Sequence, residues 1–392
     1  MSTRASSLPT GSTPLALVLT GGGARAAYQV GVVCAIAERA PQLTFPILTG
    51  VSAGAINAVY LAAHPGPLAA AAATLRAEWS RLTVDRVYRI RPIGIGRALL
   101  RGLAQLVTGR RAGTATLRGV LDMQPLREFL AAGIDLSGID RNIAAGRLRA
   151  AALSATSYAS GDTVTFVQGS PDVPTWRRAL RHAVRVGLTI DHVMASAALP
   201  ILFSAVRVGD AFYGDGSVRQ TAPLAPAIHL GAGALLVITQ RADPEQRSVV
   251  PRLGNYPTLA EVGGLLLHSI FLDALEADVE RLERLNRVLA GLPASVPAPD
   301  GLRPVRLLVV RPSRDLGDLA AGHGARLPPL IRWVVRGVGG DRATAVDFLS
   351  YLLFDPAYTT TLIEMGYEDA RRDWPRIERF LAAEGKPGKP MA

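Results

Sequence analysis

Ser52 stands at the centre of Gly50-Val51-Ser52-Ala53-Gly54, and the apolar run Phe45-Pro46-Ile47-Leu48-Thr49 comes directly before it. A serine with glycine two positions away on either side, between a short buried strand and a helix, is the nucleophile elbow G-x-S-x-G. The turn is too tight for ordinary side chains, so Gly50 and Gly54 let two backbones approach while the hydroxyl is presented at the apex. Ala53, Ala55, Ile56, Ala58 and Val59 supply the packed helix behind it. A bare three-position match arises by chance in a chain with 39 glycines, and the strand before and helix after set this one apart.

A second glycine cluster, Gly21-Gly22-Gly23-Ala24-Arg25-Ala26, follows the apolar strand Leu15 to Thr20. Gly21, Gly23 and Ala26 fit the dinucleotide spacing, but that use needs an acid about 20 residues on, at the end of the second strand. Here the second strand runs into the serine elbow, and the nearest acid, Glu38, falls in the intervening helix. A P-loop is excluded because no Gly-Lys-Ser/Thr follows. Beside a nucleophilic serine, the loop suits an oxyanion hole. Acyl transfer builds charge on the carbonyl oxygen, and each fixed N–H donor is worth roughly 100–1000-fold in rate. Consecutive glycines let such donors point one way, and the following helix adds its positive end. Arg25 either steadies the loop or the anion, or is a solvated arginine of the first turn.

The serine needs a base. The chain has six histidines, His64, His182, His192, His229, His268 and His323, and none lies in a strand-end turn of the triad kind. Of these, His182 and His192 are the candidates to approach the site. Ala211-Phe212-Tyr213-Gly214-Asp215-Gly216-Ser217 instead puts an aspartate in a glycine-flanked turn after a short aromatic strand. Such an aspartate often only shapes a turn. It is also well placed to reach the same rim as the serine.

Taken together, Gly21-Gly22-Gly23-Ala24-Arg25, Gly50-Val51-Ser52-Ala53-Gly54 and Asp215-Gly216 resemble the motifs of the patatin-like phospholipases. Ala195 to Phe203, Pro223-Leu224 and the strand Ala234 to Thr239 extend the resemblance over residues 15–240, and Leu353 to Tyr358 is similar to the tail of bacterial members. The resemblance implies a three-layer α/β/α sandwich with a mostly parallel central sheet and a helical C-terminal extension. It implies a serine acyl hydrolase with a Ser52–Asp215 dyad in place of a triad, an oxyanion loop over Gly21 to Arg25, and a lipid or phospholipid substrate. Two positions depart from the family pattern. Ala26 stands where glycine is usual and would be strained in a left-handed conformation, and Ser217 stands where Gly or Ala is usual.

General chemistry supplies the mechanism: Ser52 attacks an ester carbonyl while Asp215 accepts its proton and returns it to the leaving alcohol. An ordinary aspartate titrates near ~4, so desolvation in an apolar cleft has to raise its proton affinity. No metal or cofactor is required. Cys34 is the one cysteine, and no HExxH or EF-hand pattern occurs.

The positioning elements are alternating strands, near 15–20, 45–49, 150–157, 163–168, 211–213 and 234–239, and apolar helices. That alternation predicts a sheet covered on both faces. A long amphipathic helix is expected over 258–290, with Leu272, Leu275, Val279, Leu282 and Leu285 on one side. A Pro-rich link from Pro293 to Pro304 leads to a strand over 305–310. The expected organisation is a disordered tail over 1–14, a catalytic domain over 15–240, a mainly helical extension over 241–385 and a disordered tail over 386–392. The length allows a large core, and a single cysteine points to a reducing compartment. The N-terminal residues lack the apolar stretch of a signal peptide, and no window reaches the ~18 apolar residues of a spanning helix.

The chain carries 43 basic and 32 acidic residues, net +11, and all its basic residues but Lys386 and Lys389 are arginines. No acid occurs between Asp85 and Asp122, an interval in which Arg97, Arg101 and other arginines interleave with Leu99, Leu103, Leu106 and Val107. Residues 86–118 therefore read either as a lid or contact for an anionic membrane, through Arg97, Arg101 and Leu103, or as a solvated arginine face on a core helix. With one aromatic, Tyr88, and no binding module, nucleic-acid binding is disfavoured. The expected location is cytoplasmic or peripheral on the inner face of the membrane; the sequence sets no oligomeric state. Two alternatives differ from the dyad hydrolase: a non-catalytic lipid-binding or regulatory relative, and a soluble esterase or thioesterase dependent on His182 or His192.

Overall fold

The computed structural model describes residues 14–90, 119–242, 274–293, 296–320, 323 and 350–383. The chain opens with β1 (Leu15–Leu19), α1 (Ala27–Arg39), β2 (Ile47–Val51), α2 (Ala53–Ala63) and α3 (Leu68–Ser80). A small pair, β3 (Arg89–Ile90) and β4 (Leu121–Asp122), precedes α4 (Gln124–Gly133) and α5 (Ser137–Ala144). Next come β5 (Ala150–Ser157), β6 (Thr163–Gly169), β7 (Arg177–Arg178), β8 (Arg181–Arg185), α6 (Ile190–Ala197), β9 (Val206–Val208) and β10 (Ala211–Asp215). The remainder holds β11 (Ala234–Ile238), α7 (Ala274–Ala290), β12 (Arg306–Val310), α8 (Pro356–Arg372) and α9 (Trp374–Ala382), with only helices of two turns or more labelled.

The fold is mixed α/β with a largely parallel central sheet, ordered β12-β11-β1-β2-β5-β6-β8-β7. From β12 to β5 every pairing is parallel, while β6 and β10 pair antiparallel with β5. Parallel strands are buried on both faces and read as continuous apolar runs, as Leu-Ala-Leu-Val-Leu and Ala-Leu-Leu-Val-Ile do here. Alternate residues still face different layers. Leu15, Leu17 and Leu19 join one core with Tyr28, Val32 and Val59, whereas Ala16 and Val18 join the other with Leu224, Leu275 and Leu282. Helices on both faces make three layers.

The strands lie close to their expected positions, with informative shifts. β2 runs on through Gly50 and Val51, and β10 runs on to Asp215, so both reach the site as strands rather than ending before it. β3, β4, β7, β8 and β9 are not expected from the sequence; β8 is Arg-His-Ala-Val-Arg, too polar for an apolar-run signal. Beyond residue 240, β12 adds a parallel strand to β11 and α8 packs against α1. A Cβ on Gly31 would lie 1.9 Å from the Ile363 carbonyl oxygen, so glycine sets how closely those helices approach. Of the long helix expected over 258–290, residues 274–290 are helical, and 258–273 lie outside the described residues, as do both terminal tails apart from Pro14. No described helix is long and apolar enough to cross a membrane.

Candidate active site

β5 brings the two ends of the site together. β2 runs parallel to β5 and reaches it at Val51 opposite Ser154, while β10 runs antiparallel along the same strand and arrives with Asp215 opposite Ala155. The two strands thus meet end to end on β5, and the residue after Val51 is Ser52. Residues 163 positions apart in sequence are adjacent because one strand templates both.

Ser52 adopts φ 55° and ψ −132°, a conformation rare for a residue with a Cβ, between the end of β2 and the first turn of α2. Such backbone strain costs roughly 1–3 kcal/mol and persists only where surrounding structure enforces it. The enforcement is visible. The Ser52 amide donates to Ser196 Oγ at 3.0 Å, and that hydroxyl donates to the Ser154 carbonyl at 2.7 Å, locking the elbow to β5 through α6. A Cβ on Gly54 would lie 2.3 Å from the Leu19 carbonyl oxygen, and one on Gly50 would lie 2.4 Å from that of Gly54. The glycines serve close approach, and the strain rests on the serine.

Asp215 is fully buried. Its Oδ1 accepts from the Ser217 amide at 2.9 Å, and its own amide donates to the Ala198 carbonyl at 2.8 Å. Burial pushes its pKa up to about 6, against the Ser52 hydroxyl and the amide and hydroxyl of Ser217, which pull it down. Ser52 is close enough to exert that pull, although Oδ2 has no hydrogen bond of good geometry. Gly216 is required by packing, since a Cβ there would lie 2.2 Å from the Ser154 carbonyl oxygen.

In the glycine loop, Gly23 has φ +55°, and a Cβ would lie 2.2 Å from the Tyr351 carbonyl oxygen. Ala26 is right-handed at φ −65°, so its departure from glycine carries no strain. Two of the expected oxyanion donors are taken: the Ala24 amide donates to Tyr351 O at 2.9 Å and the Arg25 amide to Gly22 O at 3.1 Å. The amides of Gly21, Gly22 and Gly23 find no acceptor among the described residues. Arg25 is buried, not solvated: Nε donates to Ser350 Oγ at 2.6 Å and the guanidinium lies 4.0 Å above the Tyr351 ring. It ties the loop to the C-terminal segment. Beneath the loop, Gln29 and Gln240 side-chain amides both donate to the Thr20 carbonyl, and Asn57 donates to Gln29 Oε1 and the Ala26 carbonyl.

Gly23, Ser52 and Asp215 share a cavity whose walls are otherwise almost wholly apolar, including Leu75, Trp79, Leu126, Leu130 and Phe354. Tyr351, Leu352 and Phe354 close one side, a contribution from the chain's C-terminal third with no motif to reveal it. Neither His182 nor His192 lines it. His192 caps its own helix through Thr189 and packs edge-on to Phe166, and its pKa is lowered by burial. His182 Nδ1 lies 3.7 Å from Asp162. Among the described residues no group of three His, Cys, Asp or Glu side chains converges as a metal site. Arg97, Arg101 and Leu103, the expected membrane contacts, lie outside the described residues.

A family model described as patatin-like phospholipase matches residues 17–228, more than half of the chain. The chain belongs to that family. No curated protein matches it. Among solved structures, human GIVD cytosolic phospholipase A2 in complex with methyl γ-linolenyl fluorophosphonate is 13% identical, with TM-score 0.46 over 95% of this chain and 60% of that one. VipD from Legionella pneumophila is 11% identical, with TM-score 0.35 over 92% of this chain and 66% of that one. ExoU in complex with SpcU, from the type III secretion system of Pseudomonas aeruginosa, is 16% identical, with TM-score 0.28 over 96% and 79%. This patatin-like chain therefore spans less than two thirds of the length of the first two. The family match covers the glycine loop, the serine elbow and Asp215, and it ends before Tyr351 and Phe354.

Proposed function

We propose that this patatin-like protein is a serine lipid acyl hydrolase, of phospholipase A or lysophospholipase type, with Ser52 as nucleophile and Asp215 as base. The observation that carries the reading is the end-to-end meeting of a strained Ser52 and a wholly buried Asp215 in one apolar cavity. With a pKa near 6, Asp215 is ionised at neutral pH yet more basic than a solvated carboxylate. It takes the Ser52 Oγ proton as Oγ bonds to the ester carbonyl carbon. The amides of Gly21, Gly22 and Gly23, which have no acceptor among the described residues, are the donors for the developing oxyanion, and the protonated Asp215 then gives its proton to the departing alcohol. Water repeats the sequence on the acyl-serine: Asp215 takes its proton, hydroxide adds to the carbonyl carbon, and Ser52 leaves with the proton restored. The apolar walls take the acyl chain, worth roughly 0.8 kcal/mol for each buried methylene.

Purified parent and Ser52→Ala are compared on p-nitrophenyl esters and on phospholipid vesicles. The proposal expects turnover only in the parent. Binding of lipid without turnover by both proteins would point to a non-catalytic relative instead.

A further inference from the structure

The cavity has two polar ends. One holds Ser52 and Asp215. From the elbow along α2 the lining positions are Ser52, Ala53, Ile56 and Tyr60, one face of the helix at three- and four-residue spacing. Tyr60 lines the cavity together with Glu78 of α3, the one charged lining residue other than Asp215, and Glu78 pairs with Arg81 at 3.4 Å. Burial, then the Glu78 charge, raises the Tyr60 pKa. The exposure follows the same axis. Ser52 and Asp215 are buried, whereas Tyr60, Glu78 and Phe129 are partly exposed.

We propose that Tyr60 and Glu78 form an end stop that makes the channel selective for acyl chains of about ten carbons. This rests on the hydrolase reading of Ser52 and Asp215. Eight residues of helix separate Ser52 from Tyr60, a rise of about 12 Å at 1.5 Å per residue. An extended chain advances about 1.2 Å per bond, so about ten bonds fill that length. Up to there each added methylene leaves water for apolar walls, a gain of roughly fourfold in binding. Beyond it, a methylene has to desolvate the Glu78–Arg81 pair or emerge into water, and the gain stops.

The test is kcat/KM for p-nitrophenyl esters from butyrate to palmitate, each below its aggregation threshold, on the parent, Glu78→Leu, Glu78→Gln and Tyr60→Ala. In the parent, kcat/KM climbs to about ten carbons and then levels or falls. In Glu78→Leu it continues upward, gaining at least ~10-fold between ten and fourteen carbons. Glu78→Gln keeps a polar stop and follows the parent. Butyrate is too short to reach either residue, so each profile is read relative to that variant's own butyrate kcat/KM. Tyr60→Ala extends the rise as well and serves if the leucine variant does not fold. A parent profile that peaks elsewhere, or a peak that stays in place in both Glu78→Leu and Tyr60→Ala, overturns the end stop while leaving the hydrolase intact. If the parent cleaves no ester and a fluorophosphonate does not label Ser52, the hydrolase reading itself fails and the end stop with it.

Discussion

Replacing Asp215 by asparagine separates activity from stability in a way that burial alone dictates. The carboxyl titrates near 3.8 when solvated and near 6 in the folded protein. Between those values the folded state holds a proton that the unfolded state has released. Stability therefore falls as pH rises through this window, and above about pH 6 the folded protein carries the whole cost of an ionised buried group. The rise from 3.8 to about 6 corresponds to about 3 kcal/mol at pH 8 and about half that at pH 5. Asparagine has no proton to lose, keeps an oxygen to accept from the Ser217 amide, and replaces an Oδ2 that already lacks a well-formed hydrogen bond. Asp215→Asn is thus expected to lose at least ~100-fold in kcat/KM yet gain stability that grows from pH 5 to pH 8. With an unfolding entropy of about 2.1 cal/mol/K per residue, the gain at pH 8 amounts to about 4 °C in Tm over 392 residues. The parent's kcat/KM should rise with pH through about 6 as the base ionises. Melting curves for both proteins across pH 5–8 check the reasoning. Parallel stability profiles would refute it, since they would mean that Asp215 is not desolvated by folding.

Ser52→Gly should be about 1–3 kcal/mol more stable than Ser52→Ala in urea unfolding, because only glycine accepts φ 55° without strain; equal stability would place the strain elsewhere. Gly23→Ala should cost at least ~10-fold more kcat than Gly22→Ala. The former drives a Cβ into the Tyr351 backbone, while the latter meets only the Gln240 side chain, and a loss confined to KM would make the loop a binding element. Substituting His182 or His192 by glutamine should reduce kcat/KM by less than ~10-fold; a loss matching that of Asp215→Asn would establish a triad.

The elbow was legible because its information is local: Gly50, Ser52 and Gly54 satisfy one tight turn, and the strand before it is an apolar run. Asp215 was legible for a different reason, as a glycine-flanked aspartate, and nothing in the sequence says that β5 is the strand on which β2 and β10 meet. The same limit hid Ser196, which locks the elbow from 144 positions away, and Tyr351, whose carbonyl takes the Ala24 amide. These contacts involve common residue types with no spacing rule. The strain that a left-handed Ala26 would carry does not arise, for the loop makes its left-handed turn at Gly23. Arg25 is buried by Ser350 and Tyr351, more than 300 positions away, so its neighbours in sequence carry no sign of its role.

The most direct test of the central claim is reaction of the purified protein with an alkyl fluorophosphonate, read by intact mass and peptide mapping. A nucleophile activated by Asp215 is expected to yield one adduct, on Ser52, absent in Ser52→Ala and formed at least ~100-fold more slowly in Asp215→Asn. An adduct on another residue, or labelling of Ser52 that Asp215→Asn does not slow, would contradict the dyad.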